Sequence, residues 1–489
     1  MKLKLLAAAC GAALCGQALA LTPAVTDSAS TVKIYATGSS AAGRVLTALS
    51  SSDCASVSGV STADFYRFSG DTSNVFGISC TLNASAGGGS SGLGGKQVFF
   101  AYNSAGGSAF GVYGVAKEIV PSTGALNTAA AATEQRPQLT NLAASCDAGQ
   151  VIAGNPGKTY TCTSTANQWS DIGITDTEPA LHNLDINTPP ALAGQTVSSD
   201  ESALLDSKSA FQQVFGVAVS QALYNDLQAM QFALGQIPTA TSVPSLSKSA
   251  VANYLSGAFQ DPSSNFGWQP LFLTSTLGIP TKASGQVKIC TRVPGSGTKS
   301  GANAYFLNNP CGGGANSLLP ATAAQNSAGF NVSESTGTGG VQSCLTAAGS
   351  TSYAIGIVGH DNAAGTGGVG AQFVAIDGVA PSRDNAKNGL YDWFVETFMQ
   401  WNPTYISNFK TVTGGATASQ VLAYLNDFRT RSGSPDVMNA FSATQQDGVM
   451  AISDGVSTIY NDPTNANNKK FVSRVTKLGN SCSPSLWVD

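Results

Sequence analysis

The sequence predicts an α/β protein with largely parallel sheets, and three segments carry that reading. Each runs from a short β-rich stretch through a Gly/Ser/Thr loop into a helical pattern. Residues 31–36 lead into Thr37-Gly38-Ser39-Ser40 and a helical spacing over 41–49. Residues 97–102 lead into the loop 103–108 and a helix over 109–119. Residues 287–292 lead into Val293-Pro294-Gly295-Ser296-Gly297-Thr298 and a helix through Tyr305 and Phe306. Strands that alternate with helices build an α/β architecture. In such open sheets a ligand sits beyond the carboxyl ends of the strands, where these loops lie.

Residues 207–234 read as a strand over 215–219 flanked by helical pattern. Residues 245–259, 389–401 and 416–431 read as helices, the last with Val421, Leu422, Tyr424, Leu425 and Phe428 on one face. The Gly/Ser/Ala/Thr-rich stretches 81–96, 121–168 and 310–342 read as surface insertions. No repeat with a period of roughly 20–50 residues is evident. Asp377-Gly378 reads as a turn, and Trp169, Trp268, Trp393, Trp401 and Trp487 as core residues.

At 489 residues the chain is long enough for about three domain-sized units. Only 11% of residues are charged, less than half the usual ~25%. The net charge is −4, with 24 Lys+Arg and no basic block, which excludes a general nucleic-acid binder. Two histidines, His182 and His360, exclude a multi-histidine metal site and read as loop or surface residues. The sequence calls for no cofactor and no metal.

Residues 1–20 read as a secretory signal peptide. Lys2 and Lys4 precede an apolar run too short to span a membrane, and Ala18-Leu19-Ala20 forms a small-x-small cleavage signal. Neither Cys10 nor Cys15 follows the triplet a lipoprotein needs. No later segment reaches ~18 unbroken apolar residues. The expected location is therefore the periplasm or the medium. The remaining cysteines are Cys54, Cys80, Cys146, Cys162, Cys290, Cys311, Cys344 and Cys482. An even number in an exported chain implies disulfides. Pairing nearest neighbours gives Cys54–Cys80, Cys146–Cys162 and Cys290–Cys311, leaving Cys344–Cys482, one of the many connectivities eight cysteines allow.

Gly/Ser/Thr loops at strand-to-helix junctions are suited to anions. Backbone N–H groups point outward at a helix N-terminus, and the helix dipole favours negative charge there. Glycine permits close backbone approach, and Ser and Thr add hydroxyl donors. Any one such loop also reads as an ordinary turn with an N-cap.

These segments resemble a known family. Arg292-Val293-Pro294-Gly295-Ser296-Gly297-Thr298 is similar to the Arg-x-x-Gly-Ser-Gly-Thr segment of the phosphate-binding proteins of ABC importers. Asp171-Ile172-Gly173-Ile174-Thr175-Asp176 resembles that family's Asp-Phe-Gly-x-Ser-Asp strand and loop. Residues 103–107 resemble its Gly-Ser-Gly-Gly loop, residues 37–40 its first Thr-Gly-Ala-Gly loop, and residues 353–357 its Ile-Gly-Tyr strand. The resemblance touches most of residues 31–401. It implies a periplasmic-binding-protein-like fold of two α/β lobes with a ligand cleft, joined by two crossing strands near 205–215 and 373–379. Lobe one would comprise 21–210 and 376–489 with a C-terminal extension, and lobe two 211–375. Ser39, Ser40, Ser104, Asp176, Arg292, Ser296, Gly297 and Thr298 would be the ligand contacts. The family's Thr-Phe contact pair falls on Ala42-Gly43 here, and Pro294 stands where the family has an aspartate paired with the arginine. Arg292 is then either less constrained or partnered by Asp176.

The leading expectation is an exported, monomeric solute-binding protein that captures phosphate or a similar oxyanion for a membrane ABC importer, without catalysis. An extracellular interaction or surface-matrix protein that keeps the fold without phosphate binding is the alternative, motivated by Pro294 and the long insertions. A secreted hydrolase is a poor third. Gly88-Gly89-Ser90-Ser91-Gly92 precedes a strand, whereas a nucleophile elbow follows one. Lys299 follows Thr298 and not glycine, so the Walker pattern also fails.

Overall fold

The computed structural model describes residues 21–40, 42–57, 60–84, 91–153, 157–183, 185–258, 267–272, 278–313, 316–362, 371–452 and 464–488. The signal peptide, Cys10, Cys15 and residues 88–90 lie outside them. In chain order the elements that position the site are β1 (Val32–Gly38), α1 (Gly43–Asp53), β2 (Asp64–Phe68), β3 (Val75–Thr81), β4 (Gln97–Asn103), α2 (Ser108–Ala116), β5 (Lys158–Cys162), β6 (Ile172–Thr175), β7 (Asp206–Ser220), α3 (Gln221–Ala233), α4 (Lys248–Ser256), β8 (Val287–Arg292), α5 (Gly297–Leu307), β9 (Phe330–Ser335), α6 (Thr338–Ala348), β10 (Ala354–Gly359), β11 (Ala371–Ile376), β12 (Phe394–Trp401) and α7 (Ala418–Ser432).

All three strand–loop–helix units form, as β1–α1, β4–α2 and β8–α5. Strand β1 lies parallel to β4 and β6, and β8 lies parallel to β9 and β10. The pairing order is β5–β2–β3–β4–β1–β6–β12–β7–β10–β8–β9. The long antiparallel pair β7–β12 stands between the two parallel groups, matching Asp206 to Trp401 and Val214 to Phe394.

The side chains sort into two large cores about that pair. One gathers Val32, Ile34, Phe100, Ile172 and the apolar face of α7, and receives Phe211 from β7 and Met399 and Trp401 from β12. The other gathers Ile289, Phe306, Tyr254 and Trp268, and receives Phe215 and Val217 from β7 and Phe394 and Val395 from β12. The fold is therefore two α/β lobes joined by two crossing strands. Each buried large apolar side chain contributes about 1.5–3 kcal/mol, so both lobes hold both strands in place.

Several expectations need correction. The second crossing strand is β12 and not residues 373–379, because β11 pairs with the far end of β7 at Val217–Ser220. The helix expected over 389–401 is largely this strand. Its residues are buried throughout, the polar Glu396, Thr397 and Gln400 included, so no in-out alternation reveals a strand. The helical pattern assigned to 207–214 is the near half of β7, where buried Gln212 and Gln213 break the apolar signal. The stretches read as surface insertions contribute β5 and β9 to the main sheet.

Helix α7 forms as expected, with Val421, Tyr424, Leu425 and Phe428 buried and a Thr417/Gln420 capping box. Four tryptophans are core residues, but Trp487 is 60% exposed. His182 is fully buried on a short turn, so it is no surface residue. Asp377 and Gly378 take positive φ, as a tight turn requires. No described helix is long and apolar enough to cross a membrane.

Four disulfides form, consistent with an oxidising compartment. Cys54–Cys80 and Cys146–Cys162 are as expected, but the other two are Cys290–Cys344 and Cys311–Cys482. Nearest-neighbour pairing fails because α6 packs over β8 and β10, which brings Cys344 to Cys290 within one hydrophobic cluster. Cys311, just past α5, is left to staple the C-terminal segment.

Candidate functional site

The carboxyl ends of β1, β4, β6 and β8 bring the three loops together. Strand β1 ends at Gly38, whose φ is +131°, and a Cβ there would lie 1.9 Å from the Ile174 carbonyl oxygen. Only glycine fits this approach, and it delivers Ser39 to the end of β6. The Ser39 amide donates to Ile174 O at 2.8 Å, and its hydroxyl donates to Asp176 Oδ1. Tyr102 donates its hydroxyl to the Ser39 carbonyl.

The second loop meets the third directly. Gly107 has φ +77°, and a Cβ there would lie 2.8 Å from Gly295 O. Ala109 N donates to Gly295 O at 2.9 Å, so this carbonyl closes the first turn of α2. Ser108 Oγ accepts from the Asp176 amide at 3.1 Å. The Ser104 hydroxyl turns away and donates to Asn74 Oδ1 at 3.0 Å.

The third loop supplies the cation and the helix terminus. Arg292 is 3% exposed and donates to Ser40 Oγ at 3.2 Å, Thr336 O at 2.8 Å and Thr338 Oγ1 at 3.3 Å. It forms no ion pair with Asp176 among the described residues. The question raised by Pro294 thus has a definite answer: neutral oxygens fix the guanidinium. Gly297 packs on Asp176, since a Cβ there would lie 2.6 Å from Asp176 Cβ and 2.8 Å from Oδ2. Ser296 caps α5 without a side-chain hydrogen bond.

Burial sets the electrostatics. It pushes the Asp176 carboxyl upward, against the opposing pull of the Ser39 hydrogen bond and the Arg292 charge. Burial lowers Arg292 to about 10, with Asp176 pulling it back up. Arg292 Nε and Ser296 Oγ are buried without a hydrogen-bond partner among the described residues, while the Thr298 hydroxyl stands close enough to Asp176 to help keep its carboxyl down. Unmatched buried donors are costly and uncommon, and these two flank the loop that opens α5.

A cavity of about 20 Å³, lined also by Leu255, Ile289, Ala302 and Pro320, touches Arg292 and Thr298 from inside the second core and has room for about one water. A polar cavity of about 800 Å³ opens past Ser40, Thr336 and Thr338, and another of about 590 Å³ past Ser40 and Ser104.

The structure therefore brings together Ser39, Ser40, Asp176, Arg292, Ser296, Gly297 and Thr298, and leaves Ser104 on a separate partner. Sequence reasoning missed Ser108, Thr336, Thr338 and Gln213. Ser108 was visible as the end of its loop. Thr336 and Thr338 follow a strand that the low-complexity composition concealed. Gln213 helps keep the Asp176 carboxyl down from a crossing strand with no motif of its own.

No protein-family model matches the chain, and no curated protein matches it. Solved structures do. A candidate phosphate ABC transporter substrate-binding protein from Clostridium perfringens, with bound phosphate, is 11% identical over 83% of this chain and 95% of that one, with a TM-score of 0.39. An ABC-type phosphate transport receptor from Vibrio cholerae is 11% identical over 55% of this chain and 78% of that one, with a TM-score of 0.31. PstS from Borrelia burgdorferi is 14% identical over 62% and 90%, with a TM-score of 0.29. The solved structures to which this chain is similar thus include a candidate substrate-binding protein and a receptor of ABC-type phosphate transport.

Proposed function

We propose that the chain is an exported solute-binding protein that captures an inorganic oxyanion, phosphate foremost, between its lobes. The observation that carries this reading is the pair of partnerless buried donors on Arg292 and Ser296, set with the Thr298 hydroxyl about the buried carboxylate of Asp176 at the start of α5. Donors alone would take sulfate as readily as phosphate. An ionised carboxylate only accepts hydrogen bonds, so a protonated phosphate pairs with Asp176 and sulfate does not. Lobe one would hold Ser39, Ser40 and Asp176, and lobe two Arg292, Ser296, Gly297 and Thr298. Delivery to a membrane importer, without catalysis, completes the proposal.

Calorimetric titration of the mature protein with phosphate, sulfate and arsenate tests it. Phosphate should bind and sulfate should not, and Arg292→Ala should abolish tight binding by removing the fixed cation. No heat with millimolar phosphate would reject the proposal. A second reading has its own support. Ser39 already occupies Asp176, and Arg292 already has three oxygen partners, as in an interaction or matrix protein that has closed its cleft for good. Under that reading all three anions stay silent.

A further inference from the structure

A second polar pocket lies at the other end of α5. Tyr305 is nine residues beyond Ser296, so the pocket is roughly 13 Å along the helix from the cleft. Its volume is about 280 Å³, and its lining includes Lys248, Tyr305, Asp392, Lys477, Ser481 and Ser485. The C-terminal segment forms one wall, stapled to the rest by Cys311–Cys482.

The wall places a buried cation there. Lys477 is 4% exposed, and its ammonium makes no hydrogen bond or ion pair among the described residues. Asp392, Glu396 and Glu178 stand near enough to favour its charge, but their oxygens hold other donors. Glu396 accepts from Gln212 Nε2 at 3.0 Å, Thr476 Oγ1 at 2.6 Å, Lys477 N at 2.9 Å and Gly479 N at 2.6 Å. Glu178 accepts from the Ser481 amide at 2.9 Å and hydroxyl at 2.6 Å, and Asp392 accepts from the Tyr305 hydroxyl. The Lys477 ammonium rests 5.5 Å from the Tyr305 ring centre and 5.1 Å from that of Phe394. Lys248 lies over the same tyrosine at 3.6 Å. Independently, Ser485 Oγ is buried without a partner among the described residues.

We propose that this pocket binds a small dicarboxylate, with Lys477 and Ser485 holding the inner carboxylate and Lys248 the outer one. An ammonium and a hydroxyl match the two oxygens of one carboxylate. Lysine is a point charge on a flexible stem, without the fork that favours phosphate. Lys248 is only partly buried, on the more open side where a second carboxylate would emerge. Titration of Lys477 supplies a further signature. Burial lowers it to about 8; Asp392, Glu396 and Glu178 pull it up and Lys248 pushes it down.

The test is calorimetry of the full mature protein with succinate, beside acetate and phosphate. Succinate should bind more tightly than acetate, and saturating phosphate should leave its affinity unchanged. Lys477→Met should weaken succinate at least tenfold, and Lys248→Gln by a smaller factor. Raising the pH from 7 to 9 should weaken it about tenfold, because a group titrating near 8 is then about nine-tenths neutral. No heat with succinate overturns the proposal, as does unchanged affinity in Lys477→Met that melts like wild type. If that variant fails to fold, Lys248→Gln and the pH series decide, and affinity unchanged in both overturns it. The cleft stands apart from this test, since phosphate binding is read separately and neither lysine belongs to it.

Discussion

Gly297→Ala sets two physical effects against each other. Gly297 is the first residue of α5 and has no positive φ, so the backbone accepts alanine. Helix propensity alone would then favour the change by about 1 kcal/mol. The added methyl, however, would lie 2.4 Å from Ser108 Oγ, 2.6 Å from Asp176 Cβ and 2.8 Å from Asp176 Oδ2. Ordinary contact starts near 3.4 Å, so each neighbour must retreat by roughly 0.6–1 Å. Overpacking of this kind costs about 1–3 kcal/mol, leaving a net destabilisation of about 0–2 kcal/mol. The effect on binding should be larger, because the displaced group is the proposed phosphate acceptor. Loss of one charged hydrogen bond removes about 1.5–3 kcal/mol, or roughly 10–150-fold in affinity. Thermal melting and phosphate titration of the same preparation measure both. A variant that melts higher and binds phosphate as before would refute the tight contact between α5 and Asp176.

Three further outcomes are expected. Asp176→Asn should narrow the preference for phosphate over sulfate by tenfold or more, read as the ratio of the two affinities by calorimetry; an unchanged ratio would reduce Asp176 to a loop-capping carboxylate. Joint replacement of Cys311 and Cys482 by serine should lower the urea midpoint, since their separation of 171 residues corresponds to about 5 kcal/mol of loop entropy; an unmoved midpoint would show that the C-terminal segment holds without its staple. Burial raises Asp64 to about 7 from about 3.9 in the unfolded chain, so the folded state binds the extra proton between these values. Its contribution to stability is intact below about pH 4 and is lost as the pH rises to about 7; Asp64→Asn, which keeps an acceptor for the Lys158 amide, should flatten that fall in denaturant midpoints measured across the window.

What the sequence made legible follows from where its signals were local. The units β1–α1, β4–α2 and β8–α5 each fit in about twenty residues, with the strand, glycine turn and helix start adjacent. The loop residues that converge could therefore be named before their neighbours were known. The crossing strands were harder. Strand β12 is buried on both faces, and its polar Glu396, Thr397 and Gln400 fall out of step with a period of two, so no alternation separates strand from helix. Strand β7 carries Gln212 and Gln213 inside the protein because Glu396 and Thr397 of β12 receive their amides, a pairing across more than 180 residues. Strand β9 hides in a glycine- and serine-rich stretch and pairs along the outer side of β8, where tertiary context overrides composition.

The same distance in sequence explains why the cleft is hard to read from its parts. Ser39 and Asp176 lie 137 residues apart, and Arg292 and Ser40 lie 252 apart. Each pair satisfies the polar group that the other half of the chain buries. Ser39 gives Asp176 the hydrogen bond that a protonated oxyanion would give, and Ser40, Thr336 and Thr338 give Arg292 the oxygens that a ligand would give. Capture under the proposed function is then an exchange in which internal donors and acceptors yield to those of the ligand. Its net affinity is the difference between two similar sets of hydrogen bonds, increased by the partners gained by Arg292 Nε and Ser296 Oγ. The partnerless donors therefore carry the distinction between the two readings. A cleft closed for good leaves them as a permanent cost to stability, and a binding cleft bears that cost only between ligands.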